Sequence, residues 1–446
     1  MASKTPPSER LVEWLGHQRW FATKTRRIEN LTILDVLPLA SAAIAIVGVG
    51  LAGGAVDRYV VALGRGARAA TAEIADGFDD PVFSRALFDV IGHGRRVEGE
   101  SGVLKAVPTT SFPASLAPGL PVQRVGGEQS NTSVVFGDVA IMKTFRRLAD
   151  GLNPEAEMTR FLTEHARFAH SPRLFGQLEY RDREGSAATL TVLQEFIPGA
   201  RDGWAWLLDE LRAGRAALDA IRRLGEVTGR LHLALAGSPD HPDFAPETIT
   251  DADLTTWDSE VHDQLERART ALGDAHAVPP WPDLTEALAG LRGLQKIRHH
   301  GDLHFGQTLR RADGDWVIID FEGEPLRSLA ERRRKHTPLR DVAGIVRSLA
   351  YGAASVQPAG GETWLDRWQR DSAAAFVAGY CAVTAGAGFT PASEAAFRRA
   401  LAVFEVEKAA YEIVYEANHR PDWIAIPRRG LVSAAARLGL RWPGAA

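Results

Sequence analysis

Over roughly the first 200 residues, apolar and polar positions alternate in short runs. From about residue 204 apolar positions recur every three to four residues. "NLTILDVLPL", "AAIAIVGV" and "RYVVALG" read as strands, after a short amphipathic helix around Val12 to Trp20. The run at 39–56, "LASAAIAIVGVGLAGGAV", is about long enough to cross a bilayer, yet it is lean in large side chains and rich in glycine. A strand-like "DRYVVALG" follows at once, so the pair reads as a β-hairpin around a glycine turn. Residues 91–120 carry a further short β pattern and then "PTTSFPASLAPGLP", a loop or linker. "VQRVGGEQSNTSVVFGDVAIMKTFRRL" reads as a three-stranded meander. "NPEAEMTRFLTEHAR" is a helix with Asn153 at its cap and Pro154 at its first position. "ATLTVLQEFIPGA" is a strand running into a linker. One stretch interrupts the helical remainder: "RHHGDLHFGQTLRRADGDWVIIDFEGEP", residues 298–325.

This order predicts an α+β chain with a β-rich N-terminal cap over 1–90, a second β-rich part over 91–198 and a helical part over 199–446. At 446 residues the chain exceeds the ~250–300 that one core supports, which fits division into lobes. Net charge is −4, which gives no electrostatic reason to bind nucleic acid or an acidic membrane. Cys381 is the one cysteine, which excludes an intrachain disulfide and a cysteine–zinc cluster. The N-terminus lacks an apolar signal core, so a cytoplasmic protein is expected; a monomer is expected as well.

Within 298–325, Asp302 precedes Gln307 by five residues and Asp320 by 18. A hairpin turned at "RADGD" would fold Gln307 and Asp320 together. Phosphoryl transfer needs a carboxylate to accept the hydroxyl proton, and oxygen ligands to hold magnesium against the phosphates. Protein kinases set out these groups in the same order, so Asp302 reads as the base and Gln307 and Asp320 as metal ligands, with Glu322 close by. Two other readings stay open. His300, Asp302 and His304 alternate as ligands of a transition metal would on a strand. An ordinary surface hairpin is the other. His300 is expected to fix loop geometry, and His299 to lie at the surface.

A nucleotide also needs a cradle and a lysine. "GGEQSNTSVVFG" offers glycines and Ser130, Asn131, Thr132 and Ser133 at a tight turn, although GxxxxGK[ST] is absent. Lys143 lies in an apolar strand, where a charge requires a partner; Glu157 is the first choice and Glu155 the second. "LQEFIPG" supplies Gln194, Glu195 and Ile197 as a strand linker whose backbone would meet adenine.

Taken together, "EQSNTSVVFGD", "MKTFRRL", "LQEFIPGARDGW", "HGDLHFGQTLR", "IDFEGEPLRSLAERR", "PLRDVAGIVRS" and "RPDWIAIP" resemble the actinobacterial maltokinases and the related glucosamine kinases. The resemblance spans about 12–425. It implies a bilobal eukaryotic-protein-kinase-like fold of the aminoglycoside-phosphotransferase branch, with an N-terminal cap. It also implies ATP, Mg2+ and a small sugar as acceptor. By resemblance Asp302 is the catalytic base, Gln307 and Asp320 bind metal, Lys143 and Glu157 hold phosphates, and 128–133 form a phosphate loop. "VRSLAYGA" and "HFGQTL" depart from the usual maltokinase runs, with Leu349 and Ala350 where an aromatic and an acidic residue are common. That favours glucosamine over maltose. An ammonium-bearing sugar calls for carboxylates; the candidates are Asp202, Asp341, Glu412 and Glu416, with His304 beside Asp302 and Trp423 to stack on the ring. Each carboxylate reads equally as a solvated charge or a structural ion pair, and Asp341 as a buried strut behind the loop. A non-catalytic nucleotide-binding scaffold and a metallohydrolase are the alternatives from other classes.

Overall fold

The structure, a computed structural model, describes residues 8–21, 27–54, 56–64, 74–113, 116–117, 119–126, 130–273, 281–325, 327–356 and 362–440. It divides into two compact units, Met1–Arg167 with Pro172–Pro198, and Phe168–Ser171 with Gly199–Ala446.

The first unit starts with α1 (Ser8–His17), then β1 (Ile28–Leu39), β2 (Ala42–Leu51), β3 (Val56–Gly64) and α2 (Pro81–Gly92). There follow β4 (Arg96–Glu98), β5 (Gly102–Pro108), β6 (Val122–Arg124), β7 (Asn131–Phe136), β8 (Ala140–Phe145), β9 (Arg147–Leu148), α3 (Pro154–Glu164), β10 (Leu174–Asp182) and β11 (Ala187–Glu195). The glycine-rich run is the hairpin β2–β3. All ten residues of β2 are buried, because both of its faces are covered. Ala45, Val47, Val49 and Leu51 pack with Leu11, Leu15, Trp20 and Tyr59. The alternate positions, Ala42, Ile44 and Ile46, pack with Phe83, Leu87, Phe136, Met142 and Leu178. That second cluster draws on both sheets of the unit, the four-stranded β1-β2-β3-β9 and the seven-stranded β4-β5-β10-β11-β8-β7-β6. The chain leaves β8 directly into β9, whose Arg147 and Leu148 pair with Tyr59 and Arg58 on the cap strand β3.

Helix α2 is absent from the sequence reading. Its signals are local and clear: Asp80 caps it by accepting from the Val82 amide at 2.9 Å, Pro81 starts it, and Phe83, Leu87, Phe88 and Ile91 form its buried face. Helix α1 begins and ends a few residues earlier than the pattern suggests.

The second unit contains β12 (Arg201–Asp202), α4 (Gly203–Arg212), α5 (Leu218–Ala236), β13 (Glu247–Thr248), α6 (Asp251–Leu272), α7 (Thr285–Leu288) and β14 (Gln295–Lys296). It continues with β15 (Thr308–Arg310), β16 (Trp316–Ile318), α8 (Leu329–Arg332), α9 (Leu339–Ala354), α10 (Glu362–Thr384), α11 (Glu394–His419) and α12 (Ala425–Arg437). Strands β15 and β16 form the expected hairpin, joined at its edge by β12. Helices α5 and α10 meet backbone to backbone at glycines: a Cβ on Gly225 would lie 2.1 Å from the Phe376 carbonyl oxygen, and one on Gly379 2.1 Å from that of Arg222. Among the described residues no helix is long and apolar enough to cross a membrane.

The two glycines give a test of this packing. Helix propensity alone favours Gly225→Ala by about 1 kcal/mol, whereas forcing two helix backbones apart costs about 1–3 kcal/mol or more. Gly225→Ala is therefore expected to lower the melting temperature in a thermal scan. A rise would show that α5 and α10 are not in contact there.

Candidate functional site

The segment 298–307 has almost no regular structure, so its shape depends on what grips it. Helix α9 does this along one face. Asp341, in its first turn, accepts from the amides of His300 at 2.8 Å and Gly301 at 2.9 Å. Gly344 lets the helix approach so closely that a Cβ there would lie 2.2 Å from the Leu303 carbonyl oxygen. Ser348 Oγ accepts from the Phe305 amide at 3.1 Å. Asp341 is 1% exposed and also contacts His232 Nε2 at 3.0 Å, and His232 reaches the Tyr380 hydroxyl at 3.0 Å. Burial alone would raise the Asp341 pKa, but the His232 hydrogen bond and the neighbouring histidines outweigh it and hold the carboxyl well below the usual range. Asp341 is thus a strut beneath the segment, the structural of the two readings of that position. Its oxygens are taken by backbone amides and a histidine.

The hairpin then brings the metal-ligand candidates together. The Ile319 amide donates to the Gln307 carbonyl at 3.0 Å, so Asp320 follows directly on a residue bonded to Gln307. His300 ties both ends: its Nδ1 accepts from the Asp302 amide at 3.3 Å, and its Nε2 lies 2.9 Å from the Ile319 carbonyl. Asp320 has φ 65, in the left-handed region that a short polar side chain tolerates best. Beyond it, Arg332 donates to the Glu322 carbonyl at 3.1 Å.

With both ring nitrogens of His300 bonded and His304 Nδ1 accepting from the Gly306 amide at 3.0 Å, these histidines are loop fasteners. Burial lowers the His304 pKa, in keeping with an accepting ring nitrogen. Among the described residues no three His, Cys, Asp or Glu side chains gather as a metal-binding group. The remaining donors, the Gln307 amide and the Asp320 and Glu322 carboxylates, are hard oxygens of the kind magnesium takes. His299 is 7% exposed, a correction to its expected place at the surface.

Asp302 has a neighbour that the sequence reading missed. Lys408, from α11, places Nζ 2.9 Å from Asp302 Oδ1 and 2.7 Å from Glu324 Oε1. Arg327 bonds Glu324 at 2.6 Å and Glu407 at 2.9 Å, and Arg340 pairs with Glu407. The result is an alternating chain of three carboxylates and three cations. Burial disfavours the Lys408 ammonium, but Asp302 and Glu324 outweigh this and raise its pKa. Asp302, Glu324, Arg327, Lys408 and Tyr411 help line a small cavity of about 20 Å³. The signal in the sequence is "FEVEKAAYE", charges set into an otherwise apolar helical run.

The other expected sugar contacts are engaged elsewhere. Glu412 and Glu416 do share a face of α11, but that face meets α9. Glu412 accepts from Arg347 at 2.7 and 2.9 Å; Glu416 accepts from Tyr351 at 3.1 Å and from Arg420 at 2.7 and 2.8 Å. Glu416 is 1% exposed. Glu412 therefore serves an ion pair between α11 and α9, and Glu416 an ion pair at the end of α11 and a hydrogen bond to α9, the structural of the two readings of these positions. Trp423 stacks on Tyr351 with centroids 6.2 Å apart, and the Arg420 guanidinium lies 4.6 Å from its ring. Asp202 caps α4, accepting from the Ala205 amide at 2.7 Å.

In the first unit, Lys143 lies on β8 between Ser133 of β7 and Val192 of β11. Glu157 is buried in the first turn of α3, below the Asn153 cap. Residues 128 and 129 of the expected phosphate loop lie outside the described residues; Ser130 is exposed and Asn131 half-buried. Thr132 and Ser133 are buried strand residues. Thr132 accepts from Arg146 Nε at 2.7 Å, so its hydroxyl faces the core, against expectation. Gln194 donates its side chain to Glu155 at 2.5 Å, and Glu195 accepts from Arg173 at 2.8 and 3.0 Å. Ile197 is half-buried just past β11.

Residues 14–78 match the model of the maltokinase N-terminal cap domain. A glucosamine kinase of Mycolicibacterium smegmatis (strain ATCC 700084 / mc(2)155) is 31% identical over 325 residues, 68% of this chain and 77% of that protein. A glucosamine kinase of Streptacidiphilus jiangxiensis is 28% identical over 322 residues, 67% of this chain and 70% of that protein. The solved structure of a glucosamine kinase in complex with glucosamine, ADP and inorganic phosphate has the same fold. Its TM-score is 0.66 at 23% identity, covering 91% of this chain and 94% of that one.

The buried histidines behind the segment set a pH dependence. Burial pushes His299 down to about 3, and holds His336, stacked 4.1 Å from Trp257, well below its ordinary value. Both are neutral when folded and protonate more readily when unfolded. Their contribution is full above about 6.5 and is lost as pH falls from there towards about 3. The unfolding free energy should fall between pH 6.5 and 4, and His299→Gln should flatten that slope by up to about 1.4 kcal/mol per pH unit. Denaturant titrations showing the same slope in the variant would contradict the assignment.

Proposed function

The chain belongs to the glucosamine kinase family, and from that membership we propose that it transfers the γ-phosphoryl group of ATP to the 6-hydroxyl of D-glucosamine, giving glucosamine 6-phosphate. The observation that carries this reading is the hairpin in which the Ile319 amide bonds the Gln307 carbonyl while His300 ties the Ile319 carbonyl to the Asp302 amide. A sugar hydroxyl oxygen attacks the γ-phosphorus, the bond to the ADP oxygen breaks, and the hydroxyl proton passes to Asp302. Lys408 grips Oδ1, which fixes the carboxylate plane, and the other oxygen is the proton acceptor. Gln307, Asp320 and Glu322 would hold magnesium, which when bound neutralises charge on the phosphates.

Lys143, oriented by Glu157, meets the phosphates, together with Ser130 and Asn131. The backbone from Gln194 to Ile197 meets adenine. Most of the rate comes from positioning and charge neutralisation. The match of 14–78 to a maltokinase cap supports one second reading, a maltokinase forming maltose 1-phosphate. Two observations favour glucosamine: the longer matches are to glucosamine kinases, and α9 carries buried Leu349 and Ala350 where the maltokinase pattern has an aromatic and an acid.

Asp302→Ala should reduce turnover by about a thousandfold while ATP affinity, measured by calorimetry, stays within about twofold. Full activity in that variant would remove Asp302 from the chemistry. In a coupled assay over glucosamine, glucose, maltose and aminoglycosides, glucosamine should give the highest kcat/KM. A clearly higher value for maltose would reverse the assignment.

A further inference from the structure

Arg146 is 0% exposed, yet it carries a charge, three residues beyond Lys143. Its guanidinium lies between two rings, 4.5 Å from the centroid of Trp20 and 4.6 Å from that of Phe78. Its donors go to three separate segments. Nε reaches Thr132 Oγ1 at 2.7 Å, Nη1 the Val60 carbonyl at 3.3 Å, and Nη2 the Asp76 carboxylate. Asp76 is itself held by Arg124 at 3.1 Å, and Arg124 by Asp79 at 3.0 Å. Val60 belongs to the cap strand β3, Asp76 and Phe78 to the turn before α2, and Trp20 to the stretch after α1. Thr132 is the second residue of β7, next to Asn131.

A buried guanidinium is a costly way to fill a core, since apolar residues of the same volume are often as stabilising. What it supplies that a hydrocarbon does not is direction: five donors in a planar fork fix the mutual placement of whatever accepts from them. Here the fork joins the cap to the start of β7, and so to Ser130 and Asn131. The backbone of the same residue reinforces the joint, with the Val60 amide donating to the Arg146 carbonyl at 2.8 Å.

We propose that Arg146 is a positioning residue for nucleotide binding: through Thr132 it fixes the root of the turn at Ser130 and Asn131 against the cap, so that the cap sets the affinity for ATP. The inference rests on the nucleotide-binding role proposed above for that turn. It assigns the cap an effect on a substrate that the contacts of its own residues do not require it to touch.

The test uses the full chain with Thr132→Val and Asp76→Asn. The first removes the acceptor on β7 and keeps the side-chain shape. The second, on the far side of Arg146, weakens its ion pair while keeping a side chain able to cap residues 77–79. Affinity for ADP and for MgATP is measured by calorimetry, together with KM for each substrate, kcat and the melting temperature. Both variants should weaken nucleotide binding and raise KM for ATP by about tenfold, with KM for glucosamine within about twofold of the parent. Arg146→Lys should recover part of the affinity lost in Arg146→Met. Folded variants that bind nucleotide as the parent does would overturn the inference. So would a parallel rise in both KM values that tracks loss of stability. A parent chain that binds no nucleotide would overturn the functional reading first, and this inference with it.

Discussion

A carboxylate buried at 1% exposure persists only where its oxygens are met, and Asp341 meets that condition with the amides of His300 and Gly301 and the ring of His232. The consequence runs outward. A ten-residue stretch with little internal hydrogen bonding acquires one shape because a helix holds it at Asp341, Gly344 and Ser348, positions that share a face of α9. His300, fixed by that grip, reaches across to Ile319 and sets the far side of the hairpin. The relation of Asp302, Gln307 and Asp320 is thus a property of α9 as much as of the segment that carries them.

The charge chain beside it follows a second logic. Three carboxylates and three cations alternate from Asp302 to Arg340, so burial is compensated pair by pair and the sum is zero. A chain of this kind adds little to stability, since each ion gives up its hydration to enter. What it provides is a defined carboxylate at Asp302, oriented by a neighbour that is itself fixed through Glu324. Such order before substrate arrives is the form in which a protein contributes most to phosphoryl transfer.

The parts legible in the sequence were those encoded by short-range pattern. The meander β6–β8, the Asn153 cap, the β15–β16 hairpin and the spacing from Asp302 to Asp320 each depend on neighbours within about twenty residues. The parts misread depend on what stands opposite. Glu412 and Glu416 were correctly placed on one helical face, but a carboxylate at that spacing looks the same whether it meets a sugar or Arg347 and Arg420. Thr132 reads as a loop hydroxyl until Arg146 is seen behind it. Lys408 lies more than a hundred residues from Asp302 in sequence, and its only local trace is a charge set among alanines and aromatics. Helix α2 has clear local signals, but strand patterns on both sides mask them.

The sheet β1-β2-β3-β9 has no interior of its own on the side where Ile44, Ile46, Val60 and Ala62 lie; they share one with Phe136, Met142, Leu178 and Leu190. In evolutionary terms the cap is therefore not an ornament added to a finished enzyme. A lineage that discarded it would uncover a greasy wall on the part bearing Lys143, and would have to recolour that wall with polar residues to remain soluble. Gain or loss of such a segment requires many simultaneous changes, which makes it a durable marker of descent and a poor candidate for trimming in a minimal catalyst.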